Sequence, residues 1–386
     1  MRVLFFMNVL GGGGAEMHFV RLAQDLVQQG ITPIYATLRG GGAYEELLPA
    51  GIEHRVLGDD GGSTIAALVR AVPRLTRLID DVRPDIVFPV LSLTSLAGIV
   101  AARRARTRPR IVLGIQNALG KQVYERSSPV ARLQRFLIPR LWPKVDRIVA
   151  LSRGVADDIA AHVPACADRI EVIHNAGKPL EAEIERLGAI RPERPAGRPL
   201  LIAIGRLTEQ KDYPTMFEAL RRVQHTPEPV LWIMGSGELE AELKALAKEM
   251  GMEDRIVFQG FRRDVLAYAQ VADVMVLSSA WEGFANVIVE AMAMGTPVIA
   301  TDCEHGPGEI ITDGENGRLV PVRAPAQLAA AIDEVLADPA MRRRLGEAGR
   351  QRSDAFGPEA IGRRYADALK RIAQSPAPRP VAGTAD

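Results

Sequence analysis

Short apolar runs alternate with longer stretches in which apolar side chains recur every three or four positions, from one end of this chain to the other. The short runs fit buried strands and the longer stretches fit amphipathic helices, an alternation that predicts parallel sheets built from β–α–β units. In the first half, strands are expected at Val3–Asn8, Thr32–Thr37, Ile86–Val90, Arg110–Ile115 and Arg147–Leu151. Helices are expected at Ala15–Gln29, Thr64–Asp80, Ser95–Arg104, Pro129–Leu141 and Arg153–His162. Between Asn175 and Arg198 the rhythm breaks at Pro179, Pro192 and Pro195 with Gly177 and Gly197, which reads as an interdomain linker holding a short helix.

The second half restarts the pattern. Strands fit Leu200–Gly205, Val230–Met234, Arg255–Phe258, Val274–Leu277, Pro297–Ala300 and Gly317–Val320. Helices fit Tyr213–Gln224, Glu238–Met250, Arg263–Val271, Asn286–Met294 and Ala324–Leu336, with more between Pro339 and Ile372. The expected fold class is α/β, with two doubly wound domains facing across a cleft and ligands at the C-terminal strand ends. The first domain is expected over 1–178 and the second over 179–357. A further helix is expected near 358–373, and a Pro/Ala/Gly tail at 375–386 is expected to be disordered.

Composition adds boundaries. A length of 386 residues suits two domains of about 150–200 residues. Cys166 and Cys303 stand alone, which points to a reducing compartment and against a structural zinc site, and the six histidines show no metal-ligand spacing. No apolar stretch approaches the ~20 residues that span a bilayer, and the opening run is too short for a signal peptide, so a cytoplasmic location is expected. Net charge is only +1, yet residues 101–147 carry 12 basic side chains against 2 acidic ones. That segment should face something anionic. Arg132, Arg135, Arg140 and Lys144 interleave there with Leu133, Phe136, Leu137, Leu141 and Trp142. This fits a helix on an anionic membrane surface, or equally an ordinary helix with its apolar stripe on the sheet. Aromatic content of 5% and the lack of a known binding module argue against nucleic acid.

Candidate chemistry sits at expected strand ends. Glu282 and Glu290 flank a run in which a helix begins near Asn286, so the first carboxylate lies before a helix N-terminus suited to phosphate. The plain alternative is a pair that merely complements the helix dipole. Arg206 and Lys211 follow the first strand of the second half, beside Gly205, and can converge on a diphosphate. Gly235 and Gly237 follow the next strand and either border a nucleotide or form an ordinary turn. Gly11–Gly14 resembles a dinucleotide fingerprint only superficially. Met17 occupies the final glycine's position, and the second strand ends in Thr37, Leu38 and Arg39 without the acidic ribose partner.

Taken in order, Gly13-Gly14-Ala15-Glu16, Val172–Asn175, Gly205-Arg206 with Lys211, and Glu282–Val287 with Glu290 resemble the motifs of the family-4 retaining glycosyltransferases. That family has the GT-B fold of two Rossmann-like domains, and the resemblance implies that the helix near 358–373 crosses back to pack on the first. The resemblance implies that Arg206 and Lys211 bind a donor diphosphate and that Glu290 holds the ribose hydroxyls. It implies that Glu282 and the backbone of Phe284, Ala285, Asn286 and Val287 hold the transferred sugar and phosphate, while Gly13 and Gly14 approach from the first domain. Gly205 and Gly235 border the donor, and Glu16, Gln116 and Asn117 fall on the acceptor side. Family members often carry a histidine where Gln116 stands, and glutamine cannot titrate. A histidine-dependent step is therefore not available at that position.

The expected activity is a retaining transfer without metal or other cofactor. The donor is a nucleoside diphosphate sugar, most simply a UDP-sugar. The acceptor is a glycan or a polyprenyl-diphosphate-linked glycan in bacterial surface polysaccharide assembly, with peripheral membrane contact through 101–147. A nucleotide-sugar epimerase, a pyridoxal-phosphate phosphorylase and a non-catalytic nucleotide-sugar-binding protein are the rivals on the same fold.

Overall fold

In the computed structural model, residues 1–11, 13–58 and 64–375 are described. The expected disordered tail lies outside these apart from Ser375, which closes the last helix by donating to Arg371 O. The chain divides into two compact units, Met1–His174 with the residues from Ile361, and Asn175–Ala360.

The first unit is built on β1 (Arg2–Met7), β2 (Thr32–Thr37), β3 (Glu53–Val56), β4 (Ile86–Pro89), β5 (Arg110–Ile115), β6 (Arg147–Ala150) and β7 (Ile170–Val172), in the spatial order β3-β2-β1-β4-β5-β6-β7. All pairings are parallel, which explains why the central strands read as nearly unbroken apolar runs: helices cover both faces. The edge strands β3 and β7 are additions to the sequence reading. Each is short and only partly buried, Glu-His-Arg-Val and Ile-Glu-Val, so neither carries the apolar run that marks a buried strand.

The second unit holds β8 (Leu200–Ile204), β9 (Val230–Met234), β10 (Ile256–Gly260), β11 (Val274–Leu277), β12 (Val298–Thr301) and β13 (Arg318–Val320), in the order β10-β9-β8-β11-β12-β13. Phe217, Leu231, Ile233, Val276, Ile299 and Ile332 belong to its core. After β12, Pro307–Ile310 forms a single helical turn.

Both sheets are doubly wound, and each has one point where strand order reverses. In the first unit it lies between β1 and β4, and in the second between β8 and β11. Loops leaving the C-terminal ends on either side of such a point splay apart, which makes a crevice for ligand.

The helix Pro358–Gln374 is held in the first unit from Ile361 onward. Tyr365 is fully buried among Phe19, Phe88 and His18, and its hydroxyl lies 3.3 Å from His18 Nε2. Arg371 pairs with Glu171 at 2.7 Å, and Arg364 donates to Val172 O. Burial, reinforced by the Arg21 charge, pulls the His18 imidazole down to about 3, so it is neutral at ordinary pH.

Candidate functional site

The strongest constellation lies at the reversal point of the second unit, in the loops that leave β8 and β11. After β8 the chain passes Gly205 and Arg206, makes the short turn Glu209–Lys211, and reaches Asp212 in the left-handed region at φ 44°. Asp212 caps the helix Tyr213–Arg222 through its carboxylate, which accepts from Thr215. After β11 come Ser278, Ser279 and then Glu282.

The two loops are sewn together. Ser278 Oγ donates to Lys211 O at 2.8 Å and to Asp212 O at 3.0 Å, and Ala280 N–H donates to Gln210 O at 2.9 Å. The Glu282 carboxylate, 7% exposed, is gripped from three sides. Lys211 Nζ donates to its Oε1 at 2.6 Å, Ser279 Oγ donates to the same oxygen at 2.6 Å, and Gln210 Nε2 reaches Oε2 at 3.3 Å. A buried charge needs such partners to be tolerated. Cys303 lies in the same field, and burial followed by the Glu282 charge pushes its thiol up to about 12. It stays protonated and has no nucleophilic character at neutral pH.

Gly205 has a specific reason to be glycine. A Cβ there would lie 2.8 Å from Lys211 Cε and 3.2 Å from Cδ, so the missing side chain is the passage for the lysine stem. The sequence reading gave the glycine to close approach of a ligand; what crosses it is Lys211. Gly235, at φ 148°, would put a Cβ 1.9 Å from Gly205 O, so the β8 and β9 loops pack backbone to backbone. Arg206 differs from Lys211: it is exposed, and among the described residues no side-chain hydrogen bond or ion pair fixes it.

The helix Asn286–Ala293 starts where the sequence placed it. Ala285 turns into it at φ 66°, a conformation that disfavours branched side chains. Phe284 is buried, stacked edge-on to Phe356 at 5.2 Å, and Gly306 passes so close that a Cβ would lie 2.6 Å from Phe284 Cα. Glu290 is half-buried one turn into the helix. Asn175, given no separate role from sequence, donates from Nδ2 to Asn286 Oδ1 at 3.3 Å, and Gly177 lies against Val289. One crevice edge therefore brings together Arg206, Lys211, Glu282 and a helix N-terminus. An exposed cation, a paired cation and backbone amides suit a diphosphate, while carboxylates accept from hydroxyls.

In the first unit the sequence-predicted residues are dispersed over several strand ends. Gly13 caps the helix Gly14–Gln28, and a Cβ on it would meet Glu16 Oε2 at 2.3 Å, so Glu16 folds back over its own helix start. Gln116 follows β5 and is 3% exposed, and both its amide atoms are buried and unpartnered among the described residues. Asn8 Oδ1, at the end of β1, is also buried without a partner among the described residues. Between them, after β4, Leu91 sits at φ 75° with its N–H donating to Gly114 O. Asn117, half-buried, precedes a turn whose amides at Leu119 and Gly120 are held by Asp158. Among the described residues, no three His, Cys, Asp or Glu side chains cluster as metal ligands.

Comparisons with known proteins bear on the family and the fold. The sequence model of a family described as Glycosyltransferase Family 4 matches residues 12–176, and that described as Glycosyl transferases group 1 matches 190–352. A lipopolysaccharide core biosynthesis glycosyltransferase of Rhizobium meliloti, LpsE, is 34% identical over 233 residues, which cover 57% of this chain and 65% of that protein. An N-acetylgalactosaminyltransferase of Campylobacter jejuni, whose name gives a diphospho-undecaprenol-linked acceptor, is 28% identical over 251 residues, 65% of this chain and 66% of its own. The match spans just under two thirds of each relative. Among solved structures, Anabaena HepE in complex with UDP-glucose superposes with a TM-score of 0.78 at 22% identity, covering 96% of this chain and 99% of that one. Sucrose-phosphate synthase of Thermosynechococcus elongatus gives 0.79 at 23%, covering 96% and 99%. These neighbours share the fold: two Rossmann-like units of the GT-B type.

Proposed function

We propose a sugar-transfer reaction for this chain, which belongs to the family-4 glycosyltransferases of GT-B fold. The donor is a nucleoside diphosphate sugar, with UDP the favoured nucleotide, and the acceptor is a glycan or a polyprenyl-diphosphate-linked glycan of a bacterial surface polysaccharide. The observation that carries this reading is the pairing of Lys211 with Glu282 across the loops of one reversal point, with Arg206 in the first loop and the helix Asn286–Ala293 beginning after the second. The Rhizobium and Campylobacter relatives support the acceptor class, and the Anabaena complex supports UDP.

In the proposed chemistry the anomeric C–O bond to phosphate breaks and the acceptor oxygen forms the new bond on the same face, so configuration is retained. The departing phosphate oxygen takes the acceptor's proton, which suits a Gln116 that cannot titrate. Arg206 and Lys211 offset the charge growing on that phosphate without a metal ion, and Glu290 receives the ribose. Stabilising developing charge by fixed partners is typically worth about 3 kcal/mol per contact. Glu16, Gln116 and Asn117 line the acceptor side. Thermal unfolding with UDP, GDP and ADP in turn tests the donor class. A shift of several degrees with one nucleoside diphosphate is expected at 100 times its dissociation constant; no shift with any at millimolar concentration would end the reading.

Peripheral contact with an anionic membrane is the second part of the proposal. The helix Pro129–Leu141 is locked in rotation: Gln134 Nε2 donates to Ser92 Oγ at 3.0 Å, and just beyond it Trp142 Nε1 donates to Ser95 Oγ at 2.9 Å. Ile138 and Trp142 are buried, so Leu133 and Phe136 point outward, 40% and 56% exposed, among Arg132 and Arg140. The Arg140 guanidinium lies 3.8 Å from the Phe136 ring centre. Apolar tips ringed by arginine suit the inner leaflet of a plasma membrane. No helix among the described residues is long and apolar enough to cross one. Flotation with vesicles of rising phosphatidylglycerol content should carry increasing protein, and less with Phe136→Ser; no dependence on anionic lipid would remove this part.

A further inference from the structure

The grip on Glu282 points past the pair of charges to two neutral side chains that the reaction does not itself require. Gln210 stands next to Lys211 in the turn after β8, and Ser279 stands three residues before Glu282 after β11. Gln210 Nε2 donates to Trp281 O at 3.0 Å and reaches Glu282 Oε2, and its carbonyl accepts from Ala280 N–H. Ser279 is wholly buried, its hydroxyl spent on Glu282 Oε1 and its carbonyl held by Thr301 Oγ1 at 2.6 Å. Together they fix the carboxylate that in turn fixes Lys211.

We propose that Gln210 and Ser279 are positioning residues that preset the Lys211 ammonium for the terminal phosphate of the donor. The inference rests on the nucleoside diphosphate reading of this site. Two physical effects act in the same direction. The two donors set the Glu282 carboxylate in one orientation, and with it the ammonium at the end of a stem that threads past Gly205. They also draw off part of the carboxylate's charge, so Glu282 holds Lys211 without competing fully against an incoming phosphate. Without them, the carboxylate turns to the ammonium alone, and the cation is both less well placed and more fully neutralised.

Calorimetric titration with UDP and with UMP separates this role from a structural one, because only UDP carries the terminal phosphate. The wild type should bind UDP more tightly than UMP. Gln210→Ala and Ser279→Ala should each shrink that preference about fivefold, the loss of roughly one hydrogen bond's worth of alignment, while UMP affinity stays unchanged. Ser279→Thr, which keeps the hydroxyl, should restore the preference. An undiminished UDP-over-UMP preference in the folded variants overturns the inference, as does an equal loss of both affinities. If Ser279→Ala does not fold, the half-buried Gln210 carries the test alone. A wild type that binds neither nucleotide overturns the donor reading itself, a result distinct from variants that bind like the wild type.

Discussion

At the reversal point of the second unit, Glu282 is surrounded by donors from Lys211, Ser279 and Gln210, and its neighbours are stitched backbone to side chain. At the reversal point of the first, buried polar atoms of Asn8 and Gln116 have no partner among the described residues, and they flank Leu91 in a backbone conformation that few non-glycine residues adopt. One edge is internally complete and the other is not. Preset charges are worth most where a transition state builds charge, since they need no rearrangement at the moment of reaction. Unpaired buried amides cost stability, which neutral hydroxyl groups, able to donate and accept at once, would offset. The contrast fits a division in which the second unit holds a charged donor and the first reads uncharged sugar hydroxyls.

The largest effect should come from opening the complete edge. Glu282→Ala leaves the half-buried Lys211 beside no carboxylate, and turnover should fall by about 10²–10³-fold with a loss of roughly 3 kcal/mol in stability. Arg206→Ala should lose about 10²-fold in turnover yet leave the unfolding midpoint where it was, because the side chain is exposed and unheld. Equal damage to stability from both changes would erase the distinction between the paired Lys211–Glu282 edge and the exposed Arg206.

Acid should act first on the other unit. The His18 pKa is depressed to about 3 in the fold, so between pH 6.5 and 3 the unfolded chain binds the proton more readily than the native one. The stability His18 confers is complete above about 6.5 and is lost as pH falls toward 3. At pH 4.5 this amounts to about 2 to 3 kcal/mol, and urea unfolding of His18→Gln should show an acid loss smaller by that amount. Gln116→Leu should give a smaller, opposite sign: about 1 kcal/mol of added stability as the unpaired amide disappears, with the acceptor KM raised about tenfold, the loss of one hydroxyl contact. Destabilisation with unchanged kinetics would return Gln116 to the core. At the small end, EDTA should leave turnover unaltered.

Much of this was legible in the chain. Apolar runs such as Val3–Met7 and Leu200–Ile204 announce central parallel strands because burial on both faces leaves no room for polar alternation. The edges Glu53–Val56 and Ile170–Val172 carry no such mark, since half-exposed strands are free to be polar. At the site, Lys211, Glu282 and Glu290 stand out by charge and spacing, but the bond between Lys211 and Glu282 joins residues 71 apart and follows only from the adjacency of β8 and β11. Gln210 and Ser279 look like any loop polar residue until the sheet order brings their partners near. Gly205 was legible as a glycine with a purpose, but not as the gap through which a lysine passes.

Release of UDP from a panel of UDP-sugars, by the wild type and by Arg206→Ala and Lys211→Ala, tests the assignment of the donor site to the second unit most directly. Release from at least one donor, reduced about 10²-fold in each variant, is the expected result. Release that is the same in all three proteins, or none from any donor with or without glycan acceptors, would contradict it.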